Sequence, residues 1–351
     1  MKKSFQIGSA FVGLIVGAGF ASGQEIMQYF TSFGLMGIVG AVVATVIFAF
    51  LGMTLAQIGS DLQTTSHKEG IYYIGGRFIG PVLDILITFI LFGIAVVMFA
   101  GSGSTFQQMY GLNPGIGSIL MATATILTLL LNADNVIKIV AVLTPYLMGI
   151  IFIILIYSLF TMEYSIGELN LMAQNQTSAA PNWILSTILY VSYNIASGAA
   201  MLIVMGGTVK NRKIAGCGGI LGGIMLGFLI LLINAALFAK MDVVAGVEMP
   251  TLQLAKQIHP IVGFLMSFML LGMMYSTAVG MFYIFTVRIM SPKRKLFKPA
   301  VMVIGLVGFA VSLVGFTTLV GKLYSSIGYL GLLLICAVVI TWLRNKKLAL
   351  Q

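Results

Sequence analysis

Val16-Gly17-Ala18-Gly19-Phe20-Ala21-Ser22-Gly23-Gln24-Glu25 lies inside an apolar segment long enough to cross a bilayer, yet its centre carries small residues and its end two polar ones. Glycine costs about 1 kcal/mol relative to alanine at an interior helix position, so Gly17, Gly19 and Gly23 together weaken a helix here. A crossing helix that unwinds at mid-membrane bares N–H and C=O groups that hydrocarbon cannot satisfy, and such a break is tolerated only where it lines a cavity or binds something. The tripeptide Ala21-Ser22-Gly23 returns as Ala196-Ser197-Gly198, 175 positions later in a chain of 351. It sits within Ser192-Tyr193-Asn194-Ile195-Ala196-Ser197-Gly198-Ala199-Ala200, again with polar side chains at mid-depth. Small residues also serve close helix packing without a break, but two such stretches at equivalent places predict two discontinuous helices in a duplicated chain.

Charged residues make up 8% of the chain and apolar ones 59%, with a mean hydropathy of +1.07. A water-soluble core of this length does not have that balance, so the chain reads as an all-α polytopic membrane protein. At about 20 apolar residues per crossing, ten spans emerge: 4–30, 34–60, 79–110, 115–132, 136–161, 182–209, 215–239, 260–289, 299–319 and 323–343. Lys2-Lys3 before the first apolar run does not mark a cleaved signal, because no small-residue cleavage site leads into a polar mature domain. Cys217 and Cys336 fall in or beside separate apolar segments without metal-ligand or redox spacing and read as packing residues.

The basic residues fix an orientation. Lys2, Lys3, Lys68, Arg77, Lys138, Lys210, Arg212, Lys213, Arg288, Lys293, Arg294, Lys295, Lys298, Arg344, Lys346 and Lys347 fall on one side of the ten-span layout, 16 of the 19 in the chain. Lys240, Lys256 and Lys322 fall on the other. The positive-inside rule therefore places both termini in the cytoplasm of a bacterial cell, with the body in its plasma membrane. It also explains the net charge of +10 by topology and attraction to anionic lipid, with no nucleic acid involved. The longest outer connections are Thr161 to Asn182 and Lys240 to Pro260; the first divides one transmembrane domain into repeats 4–161 and 182–343, five spans each. Five is odd, so the second repeat enters from the opposite face and the halves are inverted.

At Gly17-Ala-Gly-Phe-Ala-Ser-Gly-Gln-Glu25 and Ser192-Tyr-Asn-Ile-Ala-Ser-Gly198 the chain resembles the amino acid-polyamine-organocation superfamily of secondary transporters, the LeuT fold, and within it the YkvI-type bacterial membrane proteins. The resemblance implies a five-plus-five inverted repeat with helices 1 and 6 discontinuous and a substrate site between spans 1, 3, 6 and 8. The substrate-binding candidates are Gly17, Ala18, Gly19, Ser22, Gly23 and Glu25 in span 1, Ser102 in span 3, and Tyr193, Asn194, Ser197 and Gly198 in span 6. It further implies a sodium site built from the carbonyls of Gly13, Val16 and Met273 and the hydroxyls of Ser276 and Thr277. These two hydroxyls could instead bond carbonyls of their own helix. Protons are the rival coupling ion, although no Lys or Arg lies in the middle of span 5 to replace a sodium.

Glu25 would stand about 12 Å from Gly17 if the turns between them were helical, near the outer edge of the hydrocarbon. There it could line the vestibule, draw in a cation, carry a proton or reach headgroups. Asp84, in the first turn of span 3, suits the helix dipole or an inner ion pair with Arg77 or Arg212. Thr88, Ser104 and Asn234 could touch a polar ligand, and Tyr190, Tyr193 and Tyr275 could gate or simply pack. His67 and His259 lie in opposite loops and cannot share a metal. There is no phosphate-binding loop, paired-carboxylate motif or His-Glu-x-x-His, so the chain is not read as an enzyme and needs no cofactor.

The function expected is an ion-coupled symporter, with sodium favoured over protons, moving a small organic solute such as an amino acid or related amine by alternating access. The alternative is a sensor that keeps this fold and signals to a partner protein, as germinant receptors do.

Overall fold

A computed structural model describes residues 2–64, 67–131, 136–291 and 294–348. Lys293 lies outside the described residues, as do the side chains of His67, Lys138, Lys346 and Lys347. Among the described residues the chain is helical, without strands.

The first crossing is assembled from three pieces, α1 (Lys2–Ile15), α2 (Ala18–Ala21) and α3 (Gln24–Tyr29). Then follow α4 (Leu35–Leu62), α5 (His67–Tyr110), α6 (Pro114–Leu130), α7 (Val136–Phe160), α8 (Ile166–Gln174) and α9 (Trp183–Gly207). The remainder is α10 (Arg212–Ala239), α11 (Met241–Val244), α12 (Pro250–Ile258), α13 (Pro260–Ile289), α14 (Phe297–Ser312), α15 (Phe316–Thr318) and α16 (Ser325–Leu348). Helices of 25 to 44 residues with long apolar windows, among them α4, α5, α9, α10 and α13, match the thickness of a bilayer. Their outward faces carry Phe78, Ile85, Val46, Phe160, Phe268 and Ile340, all exposed, a surface that lipid rather than water satisfies.

The chain alternates between two ends. At one, Ser4 Oγ donates to the Ile214 carbonyl (2.9 Å), Arg212 pairs with Asp61 (3.5 Å), Tyr73 Oη donates to Asn345 (3.1 Å) and Arg288 pairs with Asp84 (2.9 Å). The start of α1 and the end of α16 lie there. At the other, the Leu35 N–H donates to Asn170 (2.9 Å), Gln108 Nε2 to the Met249 carbonyl (2.9 Å) and Ser325 Oγ to the Ala179 carbonyl (3.0 Å). Among the described residues six helices are long and apolar enough to cross a membrane, and shorter apolar helices accompany them, consistent with about ten crossings.

Four expectations are corrected. The sixth span is not discontinuous: α9 runs unbroken from Trp183 to Gly207. Its polar groups are satisfied on the helix itself, Asn194 Nδ2 donating to the Tyr190 carbonyl (3.0 Å) and Ser197 Oγ to the Asn194 carbonyl (2.8 Å). One glycine in its motif, against three in span 1, leaves the ladder intact. Asp84 pairs with Arg288, not with Arg77 or Arg212, because the crossing of α5 and α13 sets the two side by side. The ninth span ends at Ser312 and the tenth begins at Phe316, with a π-helical segment, Leu319–Tyr324, leading into α16. Finally, α5 extends the third span back to His67, bent at Gly76.

α10 packs closely against α4 and α1. Glycines let backbones touch here: a β-carbon at Gly219 would overlap the carbonyl of Gly52, and one at Gly223 the backbone of Ala49.

Candidate functional site

The first span is interrupted twice. At Val16-Gly17 the Gly17 N–H donates to the Ile15 carbonyl (2.8 Å) instead of to Gly13 four residues back. Among the described residues the carbonyls of Gly13, Leu14 and Val16 consequently receive no backbone N–H, and the N–H groups of Ala18, Gly19 and Phe20 have no carbonyl partner. At Ser22-Gly23 the chain turns again: Gly23 adopts φ +80, a left-handed conformation that glycine takes without steric cost. Ser22 Oγ donates to the Gly19 carbonyl (2.7 Å) and accepts from the Gln24 N–H (3.2 Å), so its hydroxyl is spent on the turn.

This double turn decides where Glu25 goes. Its carboxylate folds back over Gly19, where a β-carbon would overlap Oε1. Oε2 accepts the hydroxyl of Tyr193 from α9. Glu25 is thus buried and faces the middle of the bundle rather than the headgroups. Tyr193 is held in turn by aromatic neighbours: it stacks on Tyr324 with centroids 4.8 Å apart and planes at 28°, and lies 5.8 Å from Tyr29 and 5.5 Å from Tyr190.

These groups border a cavity of about 340 Å³ between α1–α2, α5, α9 and α13. It brings together Gly13, Val16, Gly17, Ala18, Gly19, Glu25, Tyr193, Asn194, Ser197, Met273, Ser276 and Thr277 from the sequence-based sets. Ser22, Gly23, Ser102 and Gly198 do not line it. Ser102 instead donates to the carbonyls of Phe99 (2.8 Å) and Gly117 (2.9 Å), joining α5 to α6. Gly198 faces Leu14, where a β-carbon would sit 3.1 Å from the Leu14 side chain, and Gly23 faces Thr251.

The remaining polar residues bond neighbouring helices or their own helix rather than face the cavity. Thr88 accepts from Arg288 (3.1 Å), Ser104 bonds the Ala100 carbonyl (3.3 Å), and Asn234 Oδ1 accepts from Thr31 (2.7 Å). Tyr275 bonds Thr128 on α6, and Tyr190 packs on Phe30, with centroids 4.8 Å apart.

Sequence reasoning missed Tyr324, Met98, Met281 and Ile284, which also line the cavity. A π-helical turn has no compositional mark, so nothing announced that Tyr324 would reach Tyr193. Such turns are frequent at functional sites.

The cavity extends from Glu25 along α13 through Gly280, Met281 and Ile284, toward the end that carries the termini. The opposite end is sealed. Thr251, in the first turn of α12, donates from Oγ1 to the Ala21 carbonyl (2.6 Å) and from its N–H to the Ser22 carbonyl (3.1 Å). Gln28 Nε2 donates to the Thr317 carbonyl (3.0 Å), and Tyr29 Oη bonds Ser325 (3.0 Å).

The candidate cation ligands line the cavity from the first span and α13, with Ser276 Oγ donating to the Met273 carbonyl (3.0 Å) and Thr277 without a hydrogen-bond partner among the described residues. Carbonyl and hydroxyl oxygens suit a hard cation, and no carboxylate is needed for a monovalent one.

No family model matches the chain. It is homologous to two Bacillus subtilis (strain 168) proteins. It is 24% identical over 340 residues to the "Uncharacterized membrane protein YkvI", covering 95% of this chain and 94% of that one. It is 27% identical over 338 residues to the "Uncharacterized protein YyaD", covering 96% of each. Among solved structures it shares the fold of MhsT in complex with L-phenylalanine (TM-score 0.61, 17% identity, 93% of this chain and 87% of that one). It likewise resembles the inward-facing conformation of Mhp1 (0.63, 13%, 93% and 73%) and a Na⁺-coupled sialic acid symporter in a substrate-bound outward-open state (0.59, 13%, 96% and 88%). The chain therefore shares the overall fold of these proteins.

Proposed function

We propose that this chain, homologous to YkvI and built on the LeuT fold, is a secondary active transporter of a small organic solute, an amino acid or related amine. Sodium is its coupling ion in preference to protons, and it sits in the bacterial plasma membrane with both termini in the cytoplasm. The observation that carries the reading is the interruption at Val16-Gly17. It bares the Gly13 and Val16 carbonyls at mid-depth on a cavity that is also lined by Met273, Ser276 and Thr277 of α13. Irregular backbone at that depth suits ligand and ion binding and has no evident purpose in a scaffold.

The closed end beneath α12 and the cavity running toward the terminal end fit one of the two states that alternating access requires. A sodium-coupled symporter and a transporter bound to L-phenylalanine with this fold support the choice of ion and solute class. The first two spans of each repeat, α1–α3 and α4 with α9 and α10, would move against the rest.

Uptake into proteoliposomes tests the reading. Accumulation of labelled amino acids or amines should require an inward sodium gradient. Dependence on a proton gradient alone would replace the ion, and the absence of both accumulation and counterflow would favour the sensor.

A further inference from the structure

Among the described residues no cation pairs with the Glu25 carboxylate. Among the described residues the ion pairs are Arg212–Asp61, Lys240–Glu163 and Arg288–Asp84, and no Lys, Arg or His lines the cavity. A buried acid in a bilayer is expensive unless it is paired. Tyr193 engages one oxygen; the other, Oε1, lies over Gly19 on the cavity wall.

That placement also bears on what the free N–H groups of Ala18, Gly19 and Phe20 can bind. A broken helix would ordinarily offer such groups to the carboxylate of an incoming zwitterion. Here the chain's own carboxylate already occupies the space over Gly19, so a second one would meet like charge. The wall also carries the stacked rings of Tyr193 and Tyr324 and the thioethers of Met98, Met273 and Met281. Ring faces attract ammonium groups, and methionines adapt to apolar bodies of irregular shape. A volume of about 340 Å³ is at the small end of ligand cavities.

We infer that the solute is a small amine lacking a carboxylate, with its ammonium on Glu25 Oε1 and an apolar or aromatic body between the Tyr193–Tyr324 pair and the methionines. The inference rests on the transporter reading and narrows it, excluding amino acids as the preferred solute.

Three probes of one shape and different charge test it on the purified full chain by calorimetry and thermal shift: phenethylamine, phenylalanine and 2-phenylethanol. Phenethylamine should bind saturably, with the zwitterion and the alcohol each weaker by about tenfold or more. Glu25→Gln should lose amine affinity by a similar factor, as should Gly19→Ala, which keeps the carboxylate but displaces it. The proposal is overturned if phenylalanine or the alcohol binds as well as the amine, if either variant keeps wild-type amine affinity, or if phenethylamine does not bind. Should both variants misfold, the comparison of the three probes on the wild-type chain decides alone. Counterflow separates the two readings. Glu25-dependent amine binding without counterflow would sink transport and leave the amine site standing, whereas counterflow of phenylalanine indifferent to phenethylamine would do the reverse.

Discussion

Thr251 completes the second turn of the broken span from 230 residues away, its hydroxyl on the Ala21 carbonyl and its N–H on the Ser22 carbonyl. Gly23 makes room for the threonine methyl; a β-carbon there would stand 2.8 Å from Thr251 Cγ2. Without this bond a carbonyl stays buried and unsatisfied, which costs about 1–3 kcal/mol.

Thr251→Val preserves shape and removes the hydroxyl. It should lower the melting temperature, with a loss of about 1–3 kcal/mol. Thr251→Ser should retain most of the stability. Equal melting of the valine and wild-type proteins would show that the bond contributes nothing.

Ser276 and Thr277 supply the two hydroxyls of the proposed cation site. A ligand that binds only the folded state raises apparent stability by mass action, so the wild type should melt higher in sodium chloride than in choline chloride at equal ionic strength. The double substitution Ser276→Ala, Thr277→Ala should erase that difference. Its persistence would refute the assignment.

Close approach at the α4–α10 crossing predicts a contrast between two glycines. Gly219→Ala places a methyl against the Gly52 backbone and should destabilise by about 1–3 kcal/mol. Gly167, in α8, has nothing within 4 Å of an added β-carbon. Gly167→Ala should be neutral or stabilise by up to about 1 kcal/mol. Thermal melts of both proteins are sufficient to check this.

The cap of α8 gives a pH dependence. Ser165 donates to Glu168 through its hydroxyl (2.7 Å) and its N–H (2.9 Å), holding the carboxyl below the usual carboxylate range. A depressed value in the folded state means that the cap is intact above the ordinary glutamate range and is lost as the pH falls through the lowered value. The protection factors of amides in the first turn of α8, taken against intrinsic exchange at each pH, should therefore fall as the solution is acidified. Glu168→Gln should flatten that profile, and identical profiles for the two proteins would exclude the cap as the source.

The ten crossings were legible because the bilayer imposes both a length and a charge rule on every span. The break in span 1 was legible because three glycines in seven residues weaken any helix. Its counterpart in span 6 was misread: Ala-Ser-Gly looks the same whether it unwinds or packs, and the outcome turned on Asn194 and Ser197 finding carbonyls on their own helix. Glu25 was legible as an intramembrane acid but not by position, since a continuous helix would carry it outward and only the turn at Gly23 folds it over Gly19. Ser102 bonds α6 instead of lining the cavity, because polarity alone does not say which neighbour a helix face meets.

The two leading helices of the halves are thus mechanically unequal. Flexing α1 at Val16-Gly17 sacrifices no ladder bond, because none spans that joint; flexing α9 anywhere would rupture bonds worth about 1 kcal/mol each. One acts as an elbow and the other as a strut, so any displacement across the pseudo-symmetric pair concentrates its bending beside Glu25 while Tyr193 travels as part of a rigid rod.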